Sequence, residues 1–379
     1  MTERPAPLIG VVDLGAAPTP AFGSYASVAR TGQELLAAEL SRRLGAMGCA
    51  VVRLPVAAVR ERPFHWGGWF ATALREAVAA ARKEGRALDA IGYAGAGSLA
   101  LAPDSLLDSL ASPVAGEVVS NNRFSTDAFV VAGDLDAALD ALEACPSDNA
   151  AARHLEAAGF RSRDLRSSPW SRFDVDTPQD LALLRLATRL PDTRRLERSV
   201  GGFLEMATLP GGRRLEVPNA TAIGEVIRDR GAELLVAGRV PASALAHLET
   251  EAACRVRALV EERGMRSARD GRPRSLLADW LADRGPAELV RELASLADGV
   301  VLDSRVLMAV RAGSSDAAAW PGEEERFASD FGDAGRVGTS WLADLASAAA
   351  HAPVPVVLGG HALVSDGLRI LVDGAWLGR

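Results

Sequence analysis

Along the first 190 residues, short apolar runs alternate with stretches whose apolar positions recur every three or four residues. Leu8 to Val12 is the first run and predicts a strand, followed by a loop carrying Asp13 and Gly15. Gln33 to Met47 has helical spacing, Cys49 to Leu54 is a second strand, Gly68 to Lys83 a second helix, and Ala87 to Tyr93 a third strand entering Gly92-Tyr-Ala-Gly-Ala-Gly-Ser98. Helical spacing resumes at Pro103. Glu117 to Val119 and Ala128 to Ala132 then predict strands, and Leu135 to Glu143 and Ala150 to Ala158 predict helices. Phe173 to Thr177 is expected to be a short strand running into a helix at Pro178, a residue suited to a first helical turn because it has no N–H to leave unpaired there.

A stretch rich in Arg, Asp and Pro at Arg189 to Ser199 marks the expected boundary between two domains, residues 1–195 and 196–379. Beyond it, Gly201 to Val217 predicts a hairpin turning at Pro210-Gly-Gly212. Helices over 219–230 and 241–253, strands over 233–238 and 255–261, two helices within 274–297 and a strand over 299–303 follow. A loop-rich stretch to about 336 precedes a helix over 339–350 and a strand over 354–358. Repeated strand–helix alternation predicts an α/β fold: a mainly parallel three-layer sheet domain, then a second α/β domain. Ligands of such sheets gather at the carboxyl ends of the strands.

Composition sharpens this picture only slightly. Among 379 residues, 48% are hydrophobic and 24% charged, the balance of a chain with an ordinary core rather than a disordered one. A net charge of −7 gives no general attraction for nucleic acid or an anionic membrane, so neither is an expected partner. Cys49, Cys145 and Cys254 are an odd number without CxxC spacing, which points away from a disulfide framework or zinc site and toward a reducing cytoplasm. Met1 is followed by Thr-Glu-Arg-Pro rather than by a basic stretch and an apolar core, as a leader would require.

The most informative chemistry lies in Phe173-Asp-Val-Asp-Thr-Pro-Gln-Asp-Leu181. Carboxylates at i and i+2 of an extended segment share a face, and they precede a helix start that favours anions. Asp174 and Asp176 are thus placed to hold a divalent cation against a phosphate, or Asp176 and Thr177 cap the helix. This segment resembles the D-x-D-T-P-x-D-L sequence near the end of the catalytic domain in nucleotidyltransferases of the guanylyl- and cytidylyltransferase type, including 2-phospho-lactate and molybdenum-cofactor guanylyltransferases. The likeness spans about residues 8–190, with Ile9 to Leu14, Thr31 to Leu36, Leu101 to Leu107 and Asp148 to Arg153 in matching order.

The resemblance implies a nucleotide-diphospho-sugar transferase-like fold. It also implies Mg²⁺-dependent transfer of a nucleotidyl group from GTP or CTP to a small phosphorylated acceptor, with Asp174 and Asp176 on the metal. Two features depart from that pattern. The first loop, Asp13 to Gly23, has no basic residue before Arg30, and Tyr93 to Leu99 has no aspartate. Gly95, Gly97 and Ser98 instead offer backbone N–H groups to an anion, unless they simply form a tight turn. In Ser120 to Asp127, Asn121, Asn122 and Arg123 either shape a turn or bind nucleotide or acceptor, with Asp127 a replacement metal ligand. His65-Trp-Gly-Gly-Trp69 reads as an ordinary packed loop or as an aromatic lid.

In the second half, polar residues recur where strands are expected to end: Arg239, Glu261 and Arg263, Asp303 and Arg305, and His361. If those strands are parallel neighbours, their ends converge on one rim and build a pocket for a phosphorylated or carboxylated ligand; otherwise the charges are salt-bridge partners. His361 is the best general acid or base by type. Three readings therefore compete: a nucleotidyltransferase, a non-catalytic or regulatory ligand-binding protein with a degenerate transferase domain, and an enzyme whose catalysis lies in the second-half pocket.

Overall fold

The computed structural model describes residues 7–14, 23–55, 65–168, 170–265 and 271–377. The chain divides into two compact units. The first comprises Met1–Pro20, Arg30–Asp176 and Arg194–Gly202, the second Ala21–Ala29, Thr177–Thr193 and Phe203–Arg379.

The elements through residue 164 are β1 (Leu8–Asp13), α1 (Tyr25–Ala46), β2 (Ala50–Pro55), α2 (Trp66–Lys83), β3 (Ala90–Ala94), α3 (Asp104–Leu110), β4 (Glu117–Ser120), β5 (Ala128–Ala132), α4 (Leu135–Glu143), α5 (Ala151–Ala157) and β6 (Arg161–Asp164). The six strands form one mixed sheet in the order β2-β1-β3-β5-β4-β6, all parallel except β5, which runs against both neighbours. Because β5 is reversed, its first residue lies beside the carboxyl ends of β3 and β4, with Ala128 opposite Ala94 and Phe129 opposite Ser120. Chain order turns around at β1, whose neighbours are β2 and β3, the kind of switch point beside which open α/β sheets bind their ligands.

Strands β1, β3 and β5 are apolar along almost their whole length because helices cover both faces, and each buried Val, Leu or Ile contributes about 1.5–3 kcal/mol. Phe70 of α2 packs edge-on to Tyr93 and Phe129 at centroid distances of 5.2 and 5.9 Å. His65 caps α2 by accepting from the Gly68 N–H at 3.0 Å, and Trp66 stacks on Phe70 at 4.8 Å. The His65–Trp69 segment is therefore packed core and helix start.

Phe173 to Thr177 is extended but belongs to no ladder, contrary to the strand expected there. Its pairing needs are met elsewhere: the Val175 N–H donates to the Gly97 carbonyl at 3.2 Å, and the Val175 carbonyl accepts from Gln33 Nε2 at 2.9 Å. β6, by contrast, is a strand with no apolar residue, carried by its backbone ladder to β4.

The remaining elements are α6 (Pro178–Ala187), α7 (Arg198–Met206), β7 (Thr208–Leu209), β8 (Arg213–Arg214), α8 (Ala220–Arg228), β9 (Glu233–Gly238), α9 (Ala242–Glu251), β10 (Arg255–Val260), α10 (Leu276–Arg284), α11 (Pro286–Ala294), β11 (Gly299–Asp303), α12 (Ser304–Ala312), α13 (Glu323–Asp330), α14 (Ser340–Ala350), β12 (Val356–Gly359), α15 (His361–Val364) and α16 (Asp366–Ala375). Strands β10-β9-β11-β12 form an all-parallel sheet in that order, and β7 and β8 a two-residue hairpin around Pro210-Gly-Gly212. The hairpin is shorter than expected because α7 occupies its first half. The stretch before 336, read as loop-rich, holds α12 and α13.

Thr177 caps α6 with a reciprocal capping box: its side chain accepts from the Asp180 N–H at 3.1 Å, and Asp180 accepts from the Thr177 N–H at 2.9 Å. Among the described residues no helix is long and apolar enough to cross a membrane, and all three cysteines are free and buried.

Candidate functional site

At the carboxyl ends of β3 and β4 three pieces of chain meet: the Gly95–Ser98 turn, the Asn121–Asp127 connection between β4 and β5, and the Phe173–Asp176 segment. Asn121, almost fully buried, is their keystone. Its Oδ1 accepts from the N–H groups of Asp127 and Ala128, both at 3.0 Å, and its Nδ2 donates to Asp127 Oδ2 at 3.0 Å and to the Ser171 carbonyl at 3.1 Å. An amide has two donor hydrogens and two acceptor lone pairs, so Asn121 has nothing left for a ligand. Asn122 closes a local turn: its Oδ1 accepts from the Phe124 N–H at 3.2 Å and its carbonyl accepts from Thr126 Oγ1 at 3.1 Å. Asn121 is therefore spent on the architecture of the three segments, and Asn122 Oδ1 on the turn.

The Gly95 N–H donates to the Asp127 carbonyl at 2.9 Å, and the Ser98 N–H and hydroxyl both donate to the Gly95 carbonyl, at 3.2 and 2.9 Å. Those groups hold the turn shut instead of facing an anion. Gly97 is required for a different reason, since a Cβ there would collide with the Val175 carbonyl. The glycine thus lets the Asp174–Asp176 segment lie directly against the turn.

The result is a group of carboxylates. Asp127 is partly buried, and its carboxyl is raised to about 7, first by loss of water, with Asn121 opposing, and then by the negative charges of Asp148 and Asp176. Asp148, which accepts from the Tyr93 hydroxyl at 3.2 Å and from the Asn149 N–H at 2.8 Å, is itself pushed up by burial. Asp174 is half-buried and accepts from the Val175 N–H at 2.9 Å, while Asp176 is exposed. Neither Asp148 nor Tyr93 is a site candidate in the sequence, where Asp148 enters only as the start of the Asp148–Arg153 segment that carries part of the resemblance. Among the described residues, no three His, Cys, Asp or Glu side chains are grouped to hold a metal ion unaided.

Basic groups nearby are engaged by protein. Arg123 pairs with Glu156 at 2.7 Å, Arg153 donates to the Phe124 carbonyl at 3.0 Å, and Arg30 donates to the Leu14 carbonyl. The rest of the first loop, 15–22, lies outside the described residues.

In the second unit the parallel register does bring the expected strand ends to one rim, Gly238, Val260, Asp303 and Gly359 closing β9, β10, β11 and β12. Chain order reverses at β9, between β10 and β11. The charges at that rim largely face one another. Asp303 is fully buried and accepts from Arg239 Nε at 2.6 Å, Arg239 Nη2 at 3.1 Å and the Arg305 N–H at 3.1 Å. Burial opposes its charge, but the Arg239 guanidinium and then His361 hold its carboxyl below the usual carboxylate value.

Arg305 forms a bidentate pair with buried Asp330 at 2.7 and 2.6 Å. Gly238, with φ of 118°, passes so close to Asp303 that any Cβ would strike that side chain. Glu261 accepts from Ser275 Oγ at 2.6 Å beside the start of α10. Arg263 is exposed, with Nη2 3.4 Å from His361 Nε2. Arg239, Asp303 and Arg305 are therefore salt-bridge partners, and Arg263 and His361 form the outer edge of the rim.

No protein family matches this chain, and comparison with curated proteins finds no match.

Proposed function

We propose that the first unit is a nucleotidyltransferase-like domain that binds a nucleoside triphosphate with Mg²⁺, GTP or CTP being the candidates, and passes its nucleotidyl group to a small phosphorylated acceptor. The observation that carries this reading is the placement of carboxylates at the strand ends next to the chain-order reversal: Asp127 lies where burial first, and then the negative charges of Asp148 and Asp176, disfavour its ionised form. A divalent cation relieves that repulsion, and hard carboxylate oxygens are the donors Mg²⁺ prefers. It commonly uses one or two carboxylates, completing its shell with phosphates and water, so a set of three protein ligands is not needed. Asp127 and Asp176 would hold the ion, with Asp174 and Asp148 flanking them. Bound there, Mg²⁺ would offset charge developing on the α-phosphate during attack and pyrophosphate departure.

The reading is tested by thermal unfolding with each nucleoside triphosphate, with and without Mg²⁺. One triphosphate at about 100 times its Kd is expected to add roughly 2.7 kcal/mol of stability, dependent on Mg²⁺ and lost in Asp127→Asn and Asp176→Asn. Pyrophosphate release with a phosphorylated acceptor would then follow. No shift with any triphosphate would remove the proposal.

A second reading draws on the engaged arginines. With Arg30, Arg123 and Arg153 each donating to a protein acceptor, a phosphate there has to compete with contacts these arginines already make. That favours a regulatory protein whose ligand sits at the Arg263–His361 edge of the second unit. A stability increase with phosphate or a dicarboxylate, abolished by Arg263→Ala and untouched by Asp176→Asn, would select it.

A further inference from the structure

One side chain of the first unit is built against the usual economy of burial. Phe124 is 53% exposed, the only aromatic among the large hydrophobic side chains exposed in the described residues. Exposed apolar residues are common, but this one is held in place from three directions. Its N–H is bound by Asn122 Oδ1 at 3.2 Å and its carbonyl by Arg153 Nη1 at 3.0 Å. Two guanidinium groups lie over its ring, Arg166 at 4.8 Å and Arg123 at 5.7 Å from the centroid. Arg166 is in turn paired with Asp164 at 3.2 Å, and Arg123 with Glu156. The ring is thus fixed, exposed and bordered by cations.

It also shares a rigid piece of chain with the carboxylates. Phe124 is three residues from Asp127, a reach of at most about 10 Å, the scale of a mononucleotide. Ser125 Oγ donates to Asn149 Oδ1 at 2.6 Å and the Thr126 N–H to the Asn149 carbonyl at 3.4 Å, tying the same loop to the segment that carries Asp148.

Resting on the nucleotide reading above, we infer that Phe124 and the Arg166 guanidinium form the platform on which the nucleobase stacks, while the phosphates reach the Asp127–Asp176 carboxylates. A flat π face and planar guanidinium accept any base face and add attraction through cation–π contact, so the platform supplies affinity and leaves base identity to other groups.

The test compares Mg²⁺–GTP, Mg²⁺–CTP and Mg²⁺–tripolyphosphate binding by calorimetry in the full chain and in Phe124→Ala and Phe124→Trp. Stacking is worth roughly tenfold in affinity per base. The inference expects Phe124→Ala to weaken the bound nucleotide by about that factor while tripolyphosphate affinity stays unchanged, and Phe124→Trp to restore it. Nucleotide binding unchanged in Phe124→Ala overturns the platform and leaves the nucleotide reading standing. A full chain that binds neither nucleotide nor tripolyphosphate overturns both. Phe124 is exposed, so the alanine variant is expected to fold, which circular dichroism checks.

Discussion

Asp127 shows how a single side chain can report the character of its surroundings. A carboxyl raised in the folded state to about 7, against roughly 3.9 in an unfolded chain, stays protonated in the fold while the unfolded chain ionises. Stability is then highest below pH 4 as far as this group is concerned, and declines as pH rises toward 7. Asp127→Asn cannot ionise, so relative to it the native protein is expected to lose on the order of 2–4 kcal/mol between pH 4 and 8. Urea unfolding of both across that range checks it. Parallel curves would mean that Asp127 ionises as in water, and the charge argument for a cation would go with it. Adding Mg²⁺ at pH 8 should recover part of the loss in the native protein and none in the variant.

At the scale of elements, the Asp174–Asp180 segment resolves into two jobs. Thr177 and Asp180 start the helix, and Asp176, one residue before the cap, does not take part in the box. Thr177→Ala is therefore expected to cost about 1 kcal/mol in chemical unfolding. Asp176→Asn should leave stability within about 0.5 kcal/mol, as for an ordinary exposed substitution. Equal losses in the two would make Asp176 a helix-start residue and deprive the proposed cation of a ligand.

Which elements could be read beforehand follows from the same physics. β1, β3, β5, β9 and β11 are apolar runs covered by helices, and their pattern is plain. The residues that most misled are those whose pattern has no period. α12 is buried around its first six residues, including Ser304 and Arg305, so it has no polar stripe to betray a helix. α13 opens with Glu323, Glu324 and Glu325, which look like loop. β6, Arg-Ser-Arg-Asp, has no apolar side chain, and Arg163 and Arg161 instead reach Glu117 at 3.3 and 3.4 Å. Among candidate site residues, Asp127 and Asp176 were legible as carboxylates. The roles of Asn121 and Arg305 were not, because whether a polar side chain serves a ligand or the protein depends on partners 50 and 25 residues away.

For the whole molecule, the composition of the second unit matters more than any linker. It is assembled from three stretches of chain, and the piece around 177–193 is part of its interior: Gln179 Nε2 donates to the Leu358 carbonyl at 2.6 Å, and Arg185 pairs with Glu205 and Glu216 at 2.9 and 3.0 Å. Cutting at the Arg- and Pro-rich stretch is therefore expected to fail as a way of isolating it. A fragment of residues 196–379 should be susceptible to proteolysis and melt without a cooperative transition, whereas 177–379 should regain much of its order. A sharp, native-like transition in the shorter fragment would mean that α6 is dispensable.

The first stretch of that unit has the longest wait. Glu324 accepts from the N–H groups of Tyr25 and Ala26 at 3.1 and 2.9 Å, and Tyr25 stacks on Phe331 at 5.4 Å, across 299 residues of sequence in the first case. At about 5–20 residues per second, the ribosome delivers Glu324 some 15–60 s after Tyr25. Ser24 Oγ caps the Ser27 N–H locally at 3.0 Å, but for that interval the Tyr25 and Ala26 N–H groups lack their acceptor and the Tyr25 ring its partner, a window in which a holding chaperone has something definite to hold.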